Sequence, residues 1–283
     1  ISNIDAQAQK TVRSWNIPYF PDFYRCIKAI SNLVRYETNR KSRPPREERE
    51  REEGRAFGIP VPSQTGPPGE YETKTMLKSL VPVPEGGLAR SAEEAVQIAR
   101  AVGYPVVMKI HSAEIAHKTE IGGVKINLRN DAETEAAFHE IRNNAKRFAP
   151  QVDVNEVYIE KFVEEKGIEV VAGFNRDPIF GHSLTFGLGG IFVEVIRDVS
   201  IRVLPLTRHE VRTMIREIKG WKLLEGYREA VKYDVEALEE TIYRLAKFVE
   251  HHGDAIRELE INPLKVLPEG KGVYMLDALL RLE

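Results

Sequence analysis

The chain has 283 residues, of which 42% are hydrophobic and 30% charged, and its formal net charge is −2. This composition is typical of a packed, soluble protein, and the small net charge favours neither nucleic acid nor an anionic membrane as a partner. The single cysteine, Cys26, excludes an internal disulfide framework and a cysteine-rich zinc site, which favours a cytoplasmic setting. No apolar run approaches the ~18 residues that span a bilayer, and no secretory signal opens the sequence.

Two short segments, residues 1–37 and 38–69, precede the main body. In the first, Asp22 is placed to cap a helix that runs to about Tyr36, with apolar residues at helical spacing on one face. So few residues cannot bury a core alone, and we expect the helix to pack on another domain or to be the tail of one. The second segment is rich in Arg, Glu, Lys and Pro and is interpreted as a linker. Because the chain opens with Ile1, we interpret it as a piece of something longer.

Helix and strand patterns follow one another from about Glu70 to the end. The predicted helices are 71–80, 91–102, 131–148, 207–218 and 235–249, and the predicted strands are 105–110, 123–128, 156–162, 168–174, 182–186, 200–203, 257–261 and 273–276. Strands in adjacent runs, mixed with helices, favour an α+β fold over a strictly alternating parallel sheet. Strands 156–162 and 168–174 are expected to form a hairpin.

The run from Phe186 to Val195 carries three glycines, Gly187, Gly189 and Gly190, between apolar, strand-forming residues. Glycine lets the backbone reach positive φ and approach a ligand closely, and the N–H groups of such a loop suit phosphate oxygens. The spacing matches neither the dinucleotide-binding nor the P-loop pattern. A glycine-rich turn without a ligand is an equally good interpretation of the run taken alone.

Three polar residues on predicted strands are candidates for nucleotide contacts. Lys109 lies inside an apolar strand, where its ammonium group needs an anionic partner such as a phosphate, unless it reaches solvent at a strand edge. Glu160 ends a strand and can accept from the amine of a base, with Phe162 beside it to sandwich the ring. The alternative for Glu160 is an exposed strand-end carboxylate. Glu169, on the following strand, is a candidate for the ribose hydroxyls.

The C-terminal region and one loop add the remaining candidates. Alternation places Glu258, Glu260 and Asn262 on one strand face, and a hairpin with the next strand would bring Asn262 and Asp277 together. Hard oxygen ligands of this kind suit Mg²⁺, although a plain hairpin with solvated acids is the alternative. His117 lies in a polar loop between two strands, where a histidine can accept a phosphoryl group or act as an acid or base.

In combination, these residues resemble the ATP-grasp family. More closely, residues 70–283 resemble the β-subunit or β-part of NDP-forming acyl-CoA synthetases, such as ADP-forming acetyl-CoA synthetase, which are related to the succinyl-CoA synthetase β-subunit. The segments that carry the resemblance are 103–109, 117–124, 186–195, 197–200 and 259–264. Residues 17–36 resemble the C-terminal end of the α-part of the same enzymes, so residues 38–69 would join the two parts.

The resemblance implies an ATP-grasp fold of two intertwined subdomains, about 70–130 and 131–283. It implies an acid–thiol ligase that catalyses acyl-CoA + ADP + Pi = carboxylic acid + ATP + CoA through an acyl phosphate and a phosphohistidine. The chain would be incomplete without an α-part that carries the CoA-binding domain and the first phosphohistidine. ATP/ADP or GTP/GDP and Mg²⁺ are the implied cofactors, and a hetero- or homo-oligomer is the implied assembly.

The resemblance also gives each candidate residue a role. Lys109 would hold nucleotide phosphates, Glu160 the adenine, Gly187, Gly189 and Gly190 the transferring phosphate, and Asn262 and Asp277 the Mg²⁺ ion; His117 would be a transient phosphoryl acceptor, and Arg197 and Asp198 would lie near the phosphates. Leu279 departs from the family pattern, which often has a basic residue there. Two other functions stay open: a nucleotide-sensing or scaffold region of a multidomain acyltransferase, and another ATP-grasp carboxylate ligase.

Overall fold

The computed structural model describes residues 10–12, 14–15, 20, 22–42, 68–115, 118–152, 154–190, 198–227 and 231–283. The chain divides into two compact units, Ile1–Arg49 and Glu50–Glu283. In the first unit, helix α1 spans Phe23–Ser42 and so continues past the predicted end near Tyr36 into the predicted linker. The backbone N–H of Arg25 donates to Asp22 Oδ1 at 2.8 Å, which confirms the predicted cap. The rest of the predicted linker, up to residue 67, lies outside the described residues.

In the described part of the second unit, helix α2 and a four-stranded sheet come first, and we call them the first layer. Its elements are α2 (Glu70–Leu77), β1 (Gly86–Ala89), α3 (Ala92–Val102), β2 (Val106–His111), β3 (Val124–Leu128), α4 (Asp131–Phe148) and β4 (Glu156–Lys161). The strands are antiparallel in the order β1-β4-β2-β3. Helices α3 and α4 cover one face of the sheet, and Met108, Ile141 and Ile159 are fully buried in this core.

A larger antiparallel sheet forms the second layer. Its elements are β5 (Ile168–Asp177), β6 (Gly181–Leu188), β7 (Val199–Val203), α5 (Arg208–Glu217), α6 (Trp221–Leu224), α7 (Val235–His251), β8 (Ile256–Val266), β9 (Val273–Met275) and β10 (Ala278–Leu282). The strand order is β10-β8-β5-β6-β7, and β9 also pairs with β8. Phe174, Phe186 and Phe248 are fully buried in its core, and Leu77 of α2 belongs to the same core.

The two antiparallel sheets with their helices confirm the predicted α+β fold, but one predicted hairpin is wrong. Strand β4 pairs with β1 and β2, whereas β5 pairs with β6 and β8 in the other sheet. The layers therefore change over between Lys161 and Ile168, whereas the sequence prediction divided this region near residue 130. Among the described residues, no helix is long and apolar enough to cross a membrane.

Gly86 of β1 pairs with Glu160 of β4 and leaves little room for a side chain. A Cβ at that position would lie 2.2 Å from the carbonyl oxygen of Ile159 and 2.9 Å from the Cα of Glu160. We expect Gly86→Ala to lower the free energy of unfolding by about 1–3 kcal/mol, because the backbone must shift to admit the methyl group. The measurement is urea unfolding of the purified chain.

The neighbouring substitution Gly87→Ala is the matched control for this prediction. A Cβ there would meet the side chain of Ile98 at 3.4 Å, an ordinary van der Waals contact. Its free energy of unfolding should stay within about 0.5 kcal/mol of the wild type. Equal destabilisation by the two substitutions would contradict the close approach at Gly86.

Candidate functional site

Five charged side chains converge where the two layers meet, and we call them the lysine–glutamate cluster. Its members are Glu70 and Lys74 on α2, Lys109 on β2, Lys118 on the turn before β3, and Glu160 on β4. The first two are one helical turn apart and so lie on one face of α2. Lys74 is 1% exposed, Glu160 2% and Lys109 6%, although charged residues are almost never buried this deeply unless paired.

Three of these groups are ammonium ions that meet a single carboxylate, that of Glu70. Its Oε1 atom lies 2.6 Å from the Nζ of Lys109 and 3.0 Å from the Nζ of Lys74. Its Oε2 atom lies 2.5 Å from the Nζ of Lys118. Glu70 thus neutralises positive charge contributed by a helix, a strand and a turn.

The carboxylate of Glu160 supports two of the same lysines from the other side. It lies 2.7 Å from the Nζ of Lys74 and 2.9 Å from the Nζ of Lys109. Both ammonium groups also donate to the backbone carbonyl of Leu276 at 2.6 Å. Because Leu276 lies between β9 and β10, these bonds tie the first layer to the second.

The pKa values of the cluster follow from burial and from its mixed charges. Burial alone would raise the pKa of Glu70, but Lys109, Lys74 and Lys118 outweigh it and hold that pKa far below the ordinary value. Burial would lower the pKa of Lys109, but Glu70 and Glu160 outweigh it and raise that pKa. For Lys74, burial and the charge of Lys109 lower the pKa despite both carboxylates. Glu70 and Lys109 are therefore held firmly in their charged forms.

A cavity of about 340 Å³ opens beside the cluster, and we call it the cluster cavity. Glu70 and Lys118 form part of its wall, and Asn262 and Asp277 form another part. The backbone N–H of Asn262 donates to the carbonyl oxygen of Asp277 at 3.2 Å, so the structure brings these two residues together as the sequence predicted. Glu258 and Glu260 also line the cavity, as expected for residues that share a strand face with Asn262.

The donors of this wall fit a hard cation. The side-chain N–H of Asn262 donates to Glu260 at 3.1 Å, so the amide oxygen is the end that can face a metal ion. In the described part of the chain, no group of three or more His, Cys, Asp or Glu side chains is arranged to hold a metal. A cation here would rest on the two oxygen ligands Asn262 and Asp277, completed by phosphate and water oxygens, which is the pattern Mg²⁺ favours.

A second cavity, of about 510 Å³, lies at the end of β4. Phe162 lines it together with Lys161, Val163, Tyr274 and the segment 82–85. The structure tests one of the two interpretations of Glu160 made from the sequence. The interpretation of Glu160 as an exposed strand-end carboxylate is wrong, because Glu160 is buried. Both of its carboxylate oxygens face lysines.

The glycine run is divided between strand and turn. Gly187 is part of β6 and pairs with Val199, whereas the sequence prediction ended that strand at Phe186. Gly189 lies just after the strand, and its N–H donates to the carbonyl of Glu169 at 2.7 Å. Gly190 has a φ of +62°, a conformation that glycine adopts without strain.

The remaining predicted residues fall into two groups. The carboxylate of Asp198 accepts from the backbone N–H groups of Lys219 and Gly220 at 2.8 and 2.7 Å, so it holds the turn between α5 and α6. His117 and Arg197 lie outside the described residues.

Sequence reasoning missed Glu70, Lys74 and Lys118. The i, i+4 spacing of Glu70 and Lys74 indicates an ion pair on one helix face and could have been found in the sequence. Their partners on the sheet could not, because they are far away in the sequence.

Most of the chain matches a known protein family. The ATP-grasp domain model matches residues 64–282. The chain is 45% identical to the acetate–CoA ligase [ADP-forming] I β-subunit of Pyrococcus furiosus, over 69% of this chain and 84% of that one. The chain belongs to the ATP-grasp family. Within it, this chain belongs with the β-parts of the NDP-forming acyl-CoA synthetases.

Two further proteins are similar to this chain over most of its length. An acetyl-coenzyme A synthetase of Ca. Korarchaeum cryptofilum, solved with coenzyme A and Ca-AMPCP, has the same fold with a TM-score of 0.72 and 38% identity, over 83% of this chain and 97% of that one. The acetate–CoA ligase [ADP-forming] I of Archaeoglobus fulgidus is 35% identical over 94% of this ATP-grasp chain. The chain spans only 39% of the length of that relative.

The lowered pKa of Glu70 predicts a specific pH dependence of stability. A carboxylate whose pKa falls on folding stabilises the protein above its unfolded pKa, near 4.5, and this contribution is lost as the pH falls. The difference in free energy of unfolding between the wild type and Glu70→Gln should therefore shrink by about 1.4 kcal/mol per pH unit below that value. Urea unfolding at a series of pH values measures it, and parallel pH profiles of the two proteins would contradict the pairing.

Proposed function

We propose that the chain binds a nucleoside diphosphate or triphosphate, with its phosphates and a Mg²⁺ ion in the cluster cavity. The observation that supports this proposal most is the composition of the cavity wall. Lys118 and the Glu70 carboxylate, which gathers three ammonium groups, lie on one part of it, and Asn262 and Asp277 lie on another. Cationic groups and a hard-oxygen pair around one cavity are what a metal-bound polyphosphate requires.

Each residue has a role in this proposal. Lys109 and Lys118 bind phosphate oxygens, and Gly190 offers a backbone N–H group just after the end of β6. Asn262 and Asp277 hold the Mg²⁺ ion, which neutralises phosphate charge. The base occupies the cavity beside Phe162, where it meets the backbone of residues 161–163. In this geometry Glu160 fixes Lys74 and Lys109 in place.

The reaction proposed for the complete enzyme is acyl-CoA + ADP + Pi = carboxylic acid + ATP + CoA. Phosphate first displaces CoA from acyl-CoA to give an acyl phosphate and free CoA. The P–O bond between the phosphoryl group and the carboxylate oxygen then breaks when a histidine takes the phosphoryl group and the carboxylate leaves. His117 then receives the phosphoryl group from that histidine, and ADP takes it from His117 to give ATP. This chain supplies the nucleotide half, mainly through positioning and charge neutralisation. The names of the P. furiosus and A. fulgidus relatives support acetate or a similar acid as the product.

The partner proposed is an α-part that binds CoA. Helix α1 presents an apolar row in which Phe23 is 69% exposed, Ile27 47%, Ile30 52% and Val34 60%. The A. fulgidus relative matches 94% of this chain, whereas the P. furiosus β-subunit matches 69%. This difference supports the interpretation of residues 1–37 as the tail of an α-part, whose surface would cover the row, and of residues 70–283 as the ATP-grasp domain.

Nucleotide binding tests the metal end of the proposed site. Titration of ADP, and separately of GDP, into the full chain should give binding that Mg²⁺ strengthens, because Asn262 and Asp277 would hold the ion and its charge would offset that of the phosphates. The double substitution Asn262→Ala/Asp277→Ala should abolish the gain from Mg²⁺. Isothermal titration calorimetry with and without Mg²⁺ measures both effects and ranks the two bases.

The matched control is Asn143→Ala/Asp254→Ala, which removes the same two side-chain types at exposed positions. It should keep the Mg²⁺-dependent binding of the wild type. An unchanged Mg²⁺ effect in the Asn262/Asp277 variant would contradict the metal site. Failure of the folded wild type to bind either nucleotide would contradict the proposed function and favour the scaffold alternative.

A further inference from the structure

The most unusual contact in the molecule is the meeting of three lysines at one carboxylate. Glu70 accepts from Lys109 at 2.6 Å and from Lys118 at 2.5 Å, and the Nζ of Lys74 lies 3.0 Å away. Three ammonium groups around two oxygens make a site with more donors than one carboxylate needs. A phosphate group, which has more oxygens and more negative charge, would match this set of donors better.

The position of Glu70 makes it the exchangeable member of the cluster. Glu70 and Lys118 line the cluster cavity, so an anion in that cavity meets them directly. Lys74 and Lys109 would keep the Glu160 carboxylate and the Leu276 carbonyl as partners after Glu70 moved away. Loss of Glu70 would thus leave both lysines partly paired and with donors available to a new anion.

The location of Glu70 on its helix makes such a movement local. It is the first residue of α2, whereas Leu77 at the other end is fully buried in the core of the second layer. A change of side-chain rotamer at the start of the helix does not require the buried end to move. Asp277 adds a third carboxylate, with its Oδ1 atom 3.9 Å from the Nζ of Lys118. Three ammonium groups thus face three carboxylates, and the departure of Glu70 would leave one positive charge for an incoming anion.

We propose that Glu70 occupies the place of a nucleotide phosphate, and that Lys74 joins Lys109 and Lys118 as a phosphate-binding residue once a phosphate displaces Glu70. This inference rests on the proposed nucleotide-binding function. It adds that the Glu70 carboxylate competes with the nucleotide phosphate for the lysines. Glu70 lowers the affinity for polyphosphates and keeps the lysines paired while the site is empty. If Glu70 instead positioned the lysines for phosphate, removing its charge would lower the affinity for polyphosphates rather than raise it.

The test is calorimetric titration of ADP into the full chain in the absence of Mg²⁺, so that only the lysines are probed. Glu70→Gln keeps the shape of the side chain and removes its charge, and it should raise the affinity about tenfold or more. Lys118→Gln should lower the affinity. Glu72→Gln is the matched control, because Glu72 lies on the same helix but contacts His111 at 3.3 Å. Its affinity should stay within about twofold of the wild type.

A second variant covers the case in which Glu70→Gln does not fold, which circular dichroism would reveal. Glu70→Asp keeps the charge but withdraws the carboxylate by one methylene, and it should give a smaller increase in affinity. Weaker or unchanged binding of ADP by the folded Glu70 variants, with binding by the wild type intact, would overturn the inference alone. Absence of binding in the wild type with and without Mg²⁺ would overturn the proposed function and this inference together.

Discussion

The structure depends on the burial of ionised groups between its two layers. Removing a charge from water costs several kcal/mol per ion, and the cost is offset only when partners and geometry are good. In the lysine–glutamate cluster, each buried lysine faces at least one carboxylate, and Lys74 and Lys109 also bind the Leu276 carbonyl. The same helix that carries Glu70 and Lys74 places Leu77 in the core of the second layer. The relative position of the two sheets is thereby fixed by charge as well as by apolar packing.

Stability alone is a poor explanation for such a cluster. Well-packed apolar residues of similar volume are often as stabilising as a buried ion pair, or more so. Lys118 at the wall of the cluster cavity, opposite the amide of Asn262 and the carboxylate of Asp277, instead suits the binding of a charged ligand. Membership of the ATP-grasp family and the fold shared with the Korarchaeum synthetase agree with this interpretation.

The sequence predicted the local structure better than the pairing of distant elements. Helix 131–148 was predicted with its bounds, because its apolar spacing and its Asn130 cap are local signals. The pairing of Asn262 with Asp277 was also local enough to predict from a hairpin. The hairpin of strands 156–162 and 168–174 failed, because the short connection runs between two sheets, and sequence proximity does not show this. The burial of Glu160 was missed for the same reason, since its partners Lys74 and Lys109 are far away in the sequence.

In our proposal, nucleotide binding and recognition of the acid belong to different parts of the enzyme, and the length of the chain and its cavities support this. The cluster cavity is built from residues of this chain, between Pro68 and Arg281. The chain nevertheless spans only 39% of the A. fulgidus relative, so selection of the acyl group is assigned in our proposal to another part of the enzyme. Phosphoryl transfer to a nucleotide and recognition of the acid are then separate tasks, connected by a phosphorylated histidine.

The most direct test of this account is the detection of phosphohistidine after incubation of the full chain with Mg²⁺ and ATP labelled on its terminal phosphate. We predict a label that is stable in base and labile in acid, that maps to His117, and that is lost in His117→Gln but kept in His139→Gln, a substitution on the exposed surface of α4. Absence of a label on His117 in a folded chain that binds the nucleotide would contradict the proposed phosphoryl transfer.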